Sequence, residues 1–153
     1  MAKRRMLLST ALQAGSALRD QVADGLGAFA TKDVQLIAES ERTKVGDSLD
    51  LDEACRNEHP EANRWDYLVS VPASTRIVGL EPHTAKDSEI SVVIAKKKQA
   101  VTYLRNHLPP KHRVANWIWV THGKVGFTGT ERARRRLDQE GIVFAGRVLR
   151  SFD

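Results

Sequence analysis

The amino-acid sequence predicts one α/β domain, in which a mixed β-sheet packs between flanking helices. The length of 153 residues suits a single domain, spanning residues 1–153. A content of 41% hydrophobic and 28% charged residues is ordinary for a globular protein and argues against disorder. The order of the patterns along the chain completes the prediction: helix, three strands, helix, strand, helix and strand.

The N-terminal region, residues 1–30, is predicted to contain the first helix, over residues 6–25. A basic start followed by a mildly apolar stretch also resembles a secretory signal, but polar residues interrupt the stretch and favour a helix. The next segment, residues 33–39, suits either a short strand or a continued helix. The apolar residues of the helix recur every three or four positions, as on one amphipathic face: Leu8, Leu12, Leu18, Val22 and Leu26.

The middle of the chain contains three predicted strands. Leucines and acids alternate over residues 48–53, which indicates a short, half-buried strand. A polar loop is expected over residues 55–64. Residues 65–71 and 76–83 are richer in β-branched and aromatic residues. Because only four residues join these two strands, we expect them to pair as an antiparallel hairpin.

The second half of the chain alternates helices with strands. A long helix is predicted over residues 88–108, where two prolines end it. Residues 116–121 follow as a strand whose two tryptophans share a face, and we expect core packing for them rather than stacking on bases. Thr130 is expected to cap a helix that ends near Glu140, before a last strand over residues 142–152.

The net charge and the cysteine content indicate which partners and which cellular compartment are compatible with the sequence. The net charge of +5, from 24 basic and 19 acidic residues, permits a polyanionic partner without requiring one. The single cysteine, Cys55, cannot form an internal disulfide, which favours the reducing cytoplasm. No run of 18 apolar residues occurs, so we expect no membrane partner. A homo-oligomer is compatible with the sequence.

Four arginines crowd the short helix near residue 134. The simplest interpretation is a solvent-exposed face opposite buried Ala133 and Leu137. The alternative is contact with the phosphates of a nucleic acid. We call these residues the arginine cluster: Arg132, Arg134, Arg135 and Arg136.

Two acids of the predicted hairpin are candidate metal ligands. Asp66 opens one strand and Glu81 lies near the end of the next, so the hairpin can bring both carboxylates to one sheet edge. Mg²⁺ takes one or two carboxylates together with water and phosphate oxygens. His83 lies two residues after Glu81 and is expected on the same face of the strand. The alternative is that both acids are exposed at strand ends.

Lys97 falls in the middle of the apolar stripe of the long helix, between Ile94 and Val101. A lysine on a buried face costs several kcal/mol unless it is paired. It either extends its ammonium to the edge of the interface or pairs with the acids of the preceding strand. Lys96 and Lys98 are expected on either side of this stripe.

These residues resemble the PD-(D/E)xK nuclease superfamily, and in particular a bacterial group with an E-x-H variant of the motif. Asp66 matches the first acid, Glu81 the second, and His83 stands where the superfamily has its lysine. In some members the lysine has moved to the following helix, for which Lys97 is the candidate. A helix acid, matched only loosely by Glu39 or Glu41, completes the site in others. The resemblance covers roughly residues 49–120, within a motif-bearing core that spans residues 48–121.

The resemblance implies a restriction-endonuclease-like sandwich and a nuclease that hydrolyses phosphodiester bonds with Mg²⁺ or Mn²⁺. Asp66 and Glu81 are then the metal ligands, His83 orients water or acts as base, and Lys97 stabilises developing charge. The expected partner is nucleic acid, DNA before RNA. The rival hypothesis is a catalytically inactive binding or interaction module on the same scaffold, with Glu81, His83 and Lys97 in a structural network.

Overall fold

The fold is known from a computed structural model, which describes residues 6–61, 63–126 and 131–152. It is an α/β arrangement with one open, mixed sheet of six strands in the order β1-β2-β3-β4-β5-β6. The strands are β1 (Ala23–Asp24), β2 (Asp47–Asp50), β3 (Tyr67–Val71), β4 (Arg76–Pro82), β5 (Asn116–Val120) and β6 (Ile142–Gly146).

Six α-helices accompany the sheet in the described residues, and only two of them exceed two turns. None of these helices is long and apolar enough to cross a membrane. The helices are α1 (Leu8–Ala11), α2 (Thr31–Val34), α3 (Glu39–Arg42), α4 (Leu51–Arg56), α5 (Ile90–Leu104) and α6 (Glu131–Gln139).

The sequence correctly predicts the central hairpin, the mixed sheet and the order of helices and strands in the second half of the chain. β3 and β4 pair antiparallel, with Tyr67 opposite Leu80. β5 and β6 then add parallel to β4, because α5 and α6 carry the chain back across the sheet. α5 begins at Ile90 and ends at Leu104, inside the predicted limits. β6 ends at Gly146, earlier than predicted. The predicted cap at Thr130 lies outside the described residues.

The prediction of one helix over residues 6–25 is wrong. α1 ends at Ala11, and a short 3₁₀ segment, Ala17–Gln21, follows. At Leu12 the backbone is extended, and its carbonyl accepts hydrogen bonds from the Arg19 guanidinium at 2.7 and 3.0 Å. Leu8, Leu12 and Leu18, which suggested the helix, are still buried in the core. Their burial is thus achieved by tertiary contacts instead of by one continuous helix.

The strand predicted over residues 48–53 is shorter than expected. β2 ends at Asp50, whose side chain accepts a hydrogen bond from the Glu53 amide and caps α4. α4 also replaces the first two residues of the loop predicted over residues 55–64, and it buries Cys55. The cap formed by Asp50 therefore starts a helix where the alternation of leucines and acids predicts a strand.

The sheet is covered on both faces. One face packs on α1, α4, α5 and α6, and the other on the segments around α2 and α3 and on the C-terminal residues. Trp117 and Trp119 are buried on the first face, as predicted for core residues. A Cβ at Gly79 would lie 2.8 Å from the Trp117 ring, so this position of β4 accepts no side chain. The candidate site lies on this face at the end of β4, two residues after Gly79.

Candidate active site

Asp66 and Glu81 meet at the edge where β3 begins and β4 ends. Asp66 directly precedes β3, and Glu81 is the penultimate residue of β4. The antiparallel register places them beside each other, and the Asp66 amide donates to Glu81 Oε2 at 2.9 Å. Glu81 is fully buried, whereas 28% of the Asp66 side chain is exposed. The two carboxylates therefore form one partly open acidic pair.

Lys96 of α5 places its ammonium between these carboxylates. Its Nζ contacts Glu81 Oε1 directly and lies 3.9 Å from Asp66 Oδ1. The Lys96 side chain is only 16% exposed. The site therefore consists of two acids from adjacent strands and one lysine from the following helix.

The expectation that Lys97 pairs with these acids is wrong. Lys97 Nζ donates to the Glu140 carbonyl after α6 and lies 6.0 Å from the centre of the Trp117 ring. One helical residue is a rotation of about 100°, so the two lysines face different strands of the sheet. Burial lowers the pKa of Lys97 below its ordinary value, with Glu140 opposing the shift.

His83 lies on the same side as Glu81, as the spacing of two residues predicts. Its Nδ1 is 3.8 Å from Glu81 Oε1, and its Nε2 is 3.0 Å from Glu89 Oε2. Its amide donates to the Val120 carbonyl at 2.9 Å, and its carbonyl accepts from the Trp119 indole at 3.0 Å. Side-chain and backbone bonds together fix the imidazole next to the acidic pair.

Burial raises the pKa of both carboxyls. The pKa of Glu81 rises to about 8, first because of burial and then because of the neighbouring Asp66 charge, and Lys96 opposes the rise. Burial likewise raises the pKa of Asp66 to about 6, again against the effect of Lys96. Two acids with raised pKa values beside one cation are typical of functional sites, although structural ion pairs also shift pKa values.

The site offers the minimum set of protein ligands for a hydrated Mg²⁺ or Mn²⁺, which is two carboxylates. Among residues 6–61, 63–126 and 131–152, no three His, Cys, Asp or Glu side chains are grouped to hold a metal ion. Asp66 and Glu81 provide two hard carboxylates, and the Lys96 ammonium lies between them. Mg²⁺ binds through as few as one or two carboxylates and completes its shell with water and phosphate oxygens.

The arginine cluster lies on the solvent side of α6. Ala133 and Leu137 are buried and the four arginines are exposed, as the sequence pattern predicts. Arg136 donates to the Ser91 hydroxyl at 2.8 Å, which ties α6 to the start of α5. The cluster therefore belongs to the same face of the sheet as the acidic pair.

Sequence reasoning missed Lys96 as the partner of the acids and Glu89 as the partner of His83. Lys96 is adjacent to Lys97, the residue that lies in the apolar stripe. The helical pattern alone does not show which of two adjacent lysines reaches the acids. Asp33 was missed as well. It is buried, and its carboxylate binds the Tyr67 hydroxyl at 2.6 Å and His122 Nε2 at 2.9 Å. No spacing signal joins those three residues.

Comparisons of the chain with protein-family models, with curated proteins and with solved structures find no match. The site therefore has to be interpreted from its own geometry.

Proposed function

We propose that the protein is a metal-dependent nuclease of the restriction-endonuclease-like type, which hydrolyses phosphodiester bonds in nucleic acid. The observation that carries the proposal is the convergence of Asp66, Glu81 and Lys96 from β3, β4 and α5. Lys96 takes the role that the sequence pattern assigned to Lys97. The order β2, α4, β3, β4, α5, β5 supports the proposal, because apart from the short α4 it has three strands before a helix and a further strand, as in the superfamily core.

The chain's own residues divide the work of hydrolysis. Mg²⁺ or Mn²⁺ bound by Asp66 and Glu81 would acidify a water and polarise the phosphate. Lys96 is placed to neutralise the charge that develops on the phosphate oxygens. His83, held by Glu89, is placed to orient the attacking water or to accept its proton.

The arginine cluster supports the choice of a polyanionic substrate. Its exposed guanidinium groups can neutralise phosphates of either strand without reading the sequence. We propose DNA before RNA as the substrate and the cytoplasm as the compartment, since the only cysteine is a free, buried thiol. Self-association remains compatible with this proposal.

A binding module without catalysis is the second candidate. It is favoured by the fact that both Glu81 oxygens already have partners, the Asp66 amide and the Lys96 ammonium. A built-in cation would then replace the metal and stabilise the sheet edge. The arginine cluster would still bind phosphates, but no bond would be cleaved.

Cleavage assays on plasmid and on single strands, with Mg²⁺ or Mn²⁺, test the proposal. We expect Asp66→Ala to abolish metal-dependent cleavage and Lys96→Ala to slow it by about two to three orders of magnitude. Lys98→Ala is the matched control, because Lys98 is exposed on the same helix and pairs only with Glu140 in the described residues. Its activity should equal that of the wild type.

The binding module would be favoured by one specific outcome. If neither the wild type nor Asp66→Ala cleaves, and calorimetry detects no binding of Mn²⁺, the nuclease proposal is wrong. Equal cleavage by both proteins would show that the activity arises elsewhere.

A further inference from the structure

A cavity of about 190 Å³ lies next to the acidic pair, between α4 and α5. Its volume exceeds the roughly 150 Å³ of a protein cavity that holds benzene. Arg64 and Trp65 line it and directly precede Asp66, while Gln99 lines it one helical turn after Lys96. A ligand in this cavity would therefore lie beside a phosphate bound at the candidate site.

The walls of the cavity are aromatic. His59 meets the Tyr103 ring edge-on at 5.4 Å between centroids, and His107 lies 4.6 Å from it on a tilted plane. Trp65 is fully buried at the back, and its indole N–H has no hydrogen-bond partner among the residues that the structure describes. Aromatic side chains of this kind stack on nucleobases, which contributes about 1–3 kcal/mol per base. The shape therefore suits a flat, unsaturated ring.

The rim of the cavity carries hydrogen-bonding groups and little net charge. Gln99 and Asn106 are exposed amides that both donate and accept. The Glu58 carboxylate accepts only, and the Arg64 guanidinium donates only. At the floor, burial raises the pKa of the Cys55 thiol to about 11, so the floor is uncharged. Such a mixed rim matches the donor and acceptor edge of a nucleobase.

We propose that this cavity binds one nucleobase of the substrate strand, adjacent to the phosphate at the acidic pair. The inference rests on the nuclease proposal for its substrate class. A base can enter the cavity only when it is unpaired, because the ring must leave the stack to reach Tyr103. The substrate is therefore a single-stranded segment, or a duplex opened at that nucleotide.

Titration of the labelled protein with nucleotides, followed by NMR, tests the pocket. The chain has three tryptophans, and only Trp65 lines this cavity. We expect cytidine or adenosine 5′-monophosphate to shift the Trp65 indole signal and the His59 ring signals saturably. Ribose 5-phosphate, which has no base, should leave both unchanged. His59→Ala should weaken nucleotide binding by about tenfold, as expected for the loss of one stacking partner.

His112→Ala is the matched control, since His112 lies outside the cavity and its replacement should not change nucleotide affinity. Both histidine variants should fold, because His59 is exposed and His112 half-buried. The pocket is overturned if ribose 5-phosphate produces the same shifts as cytidine 5′-monophosphate, or if the two variants bind nucleotides equally.

The titration contains no divalent cation and involves no cleavage. Its result therefore tests the pocket separately from the nuclease proposal. Nucleotide binding at Trp65 by a protein that cleaves nothing would support the pocket and overturn the nuclease. If the protein cleaves nucleic acid but nucleotides do not shift its Trp65 signal, the nuclease proposal is supported and the pocket is overturned.

Discussion

Lys96 favours the charged form of a carboxyl group that is costly to bury as an ion, because it opposes the rise that burial causes in the pKa of Glu81. Glu81 has no exposed surface, and its two oxygens accept from one backbone amide and one ammonium. An isolated buried carboxylate takes up a proton instead of remaining charged. The lysine therefore serves the fold as well as the proposed chemistry, and the two roles can be separated by measuring stability and activity on the same variants.

Replacing Lys96 with methionine is expected to destabilise the protein by about 1–3 kcal/mol at pH 7, because one Glu81 oxygen loses its donor while it stays buried. Lys98→Met, on the exposed face of α5, should change the free energy of unfolding by less than about 0.5 kcal/mol. Urea denaturation without divalent cations measures both values. Equal stability of the two variants would mean that Lys96 contributes nothing to the sheet edge.

The lysine at the site could be predicted from the sequence only to within one residue. The apolar stripe of α5 correctly indicates that a lysine lies over the sheet, and the hairpin correctly places Asp66 beside Glu81. Which lysine reaches the acids depends on the rotation of α5 about its axis, and the bulk of Trp117 beneath Lys97 is part of that packing. A periodic pattern in one sequence contains no such information.

At the scale of elements, the predictable parts are those with strong local signals. The β3–β4 hairpin, α5, β5 and α6 have clear periodicity and clear ends. The N-terminal segment has helical periodicity but no continuous helix, because its leucines contact the core from α1 and from a 3₁₀ turn. The Asp47 carboxylate stabilises that arrangement by accepting from the Leu8 and Ser9 amides at 2.8 and 3.1 Å. The side chain that holds the start of this helix is 39 residues from Leu8 and 38 from Ser9 in the sequence.

The C-terminal residues are fastened to α3 by one buried acid. Glu41 Oε1 accepts from the Phe152 amide at 3.0 Å, and Oε2 pairs with Lys44 Nζ at 2.6 Å. Leu149 also forms a parallel bridge with Ile37. Lys44, followed by the Phe152 amide, lowers the pKa of Glu41 against the effect of burial. The charged form of Glu41 is therefore the form that the fold favours.

We expect Glu41→Gln to lower the free energy of unfolding by roughly 1–2 kcal/mol at pH 7. Because the pKa of Glu41 is lower in the folded than in the unfolded state, its contribution is present above the ordinary value of 4.5 and is lost as the pH falls. The wild type and the variant should therefore converge in acid, as measured by urea denaturation from pH 7 to pH 3.

Glu39→Gln is the control for this series, because Glu39 is an exposed carboxylate on the same helix. It should follow the wild type at every pH. A difference between wild type and Glu41→Gln that grows in acid would contradict the assignment.

At the scale of the whole molecule, the acidic pair and the arginine cluster lie on the side of the sheet that α1, α4, α5 and α6 cover, and Arg136 links α6 to α5. The sheet order places β6, which follows α6, two strands from β4. Under the proposed function, a strand of nucleic acid that contacts the cluster would extend over the same side of the molecule towards Asp66, the partly exposed member of the acidic pair. The proposed function would thus combine sequence-independent binding of phosphates by the cluster with a separate catalytic centre at the acidic pair.

Binding of nucleic acid is expected to weaken steeply with salt, because phosphate contacts release condensed counterions. Each phosphate contact that is lost should lower the magnitude of the salt slope by about 0.7 for single strands. The double variant Arg134→Gln, Arg135→Gln should therefore bind more weakly at low salt and show a smaller slope. The double variant Lys32→Gln, Lys111→Gln removes the same charge from exposed positions outside the cluster. Gel-shift titrations from 50 to 200 mM salt would refute the role of the cluster if both variants lost affinity equally, since net charge alone would then explain the binding.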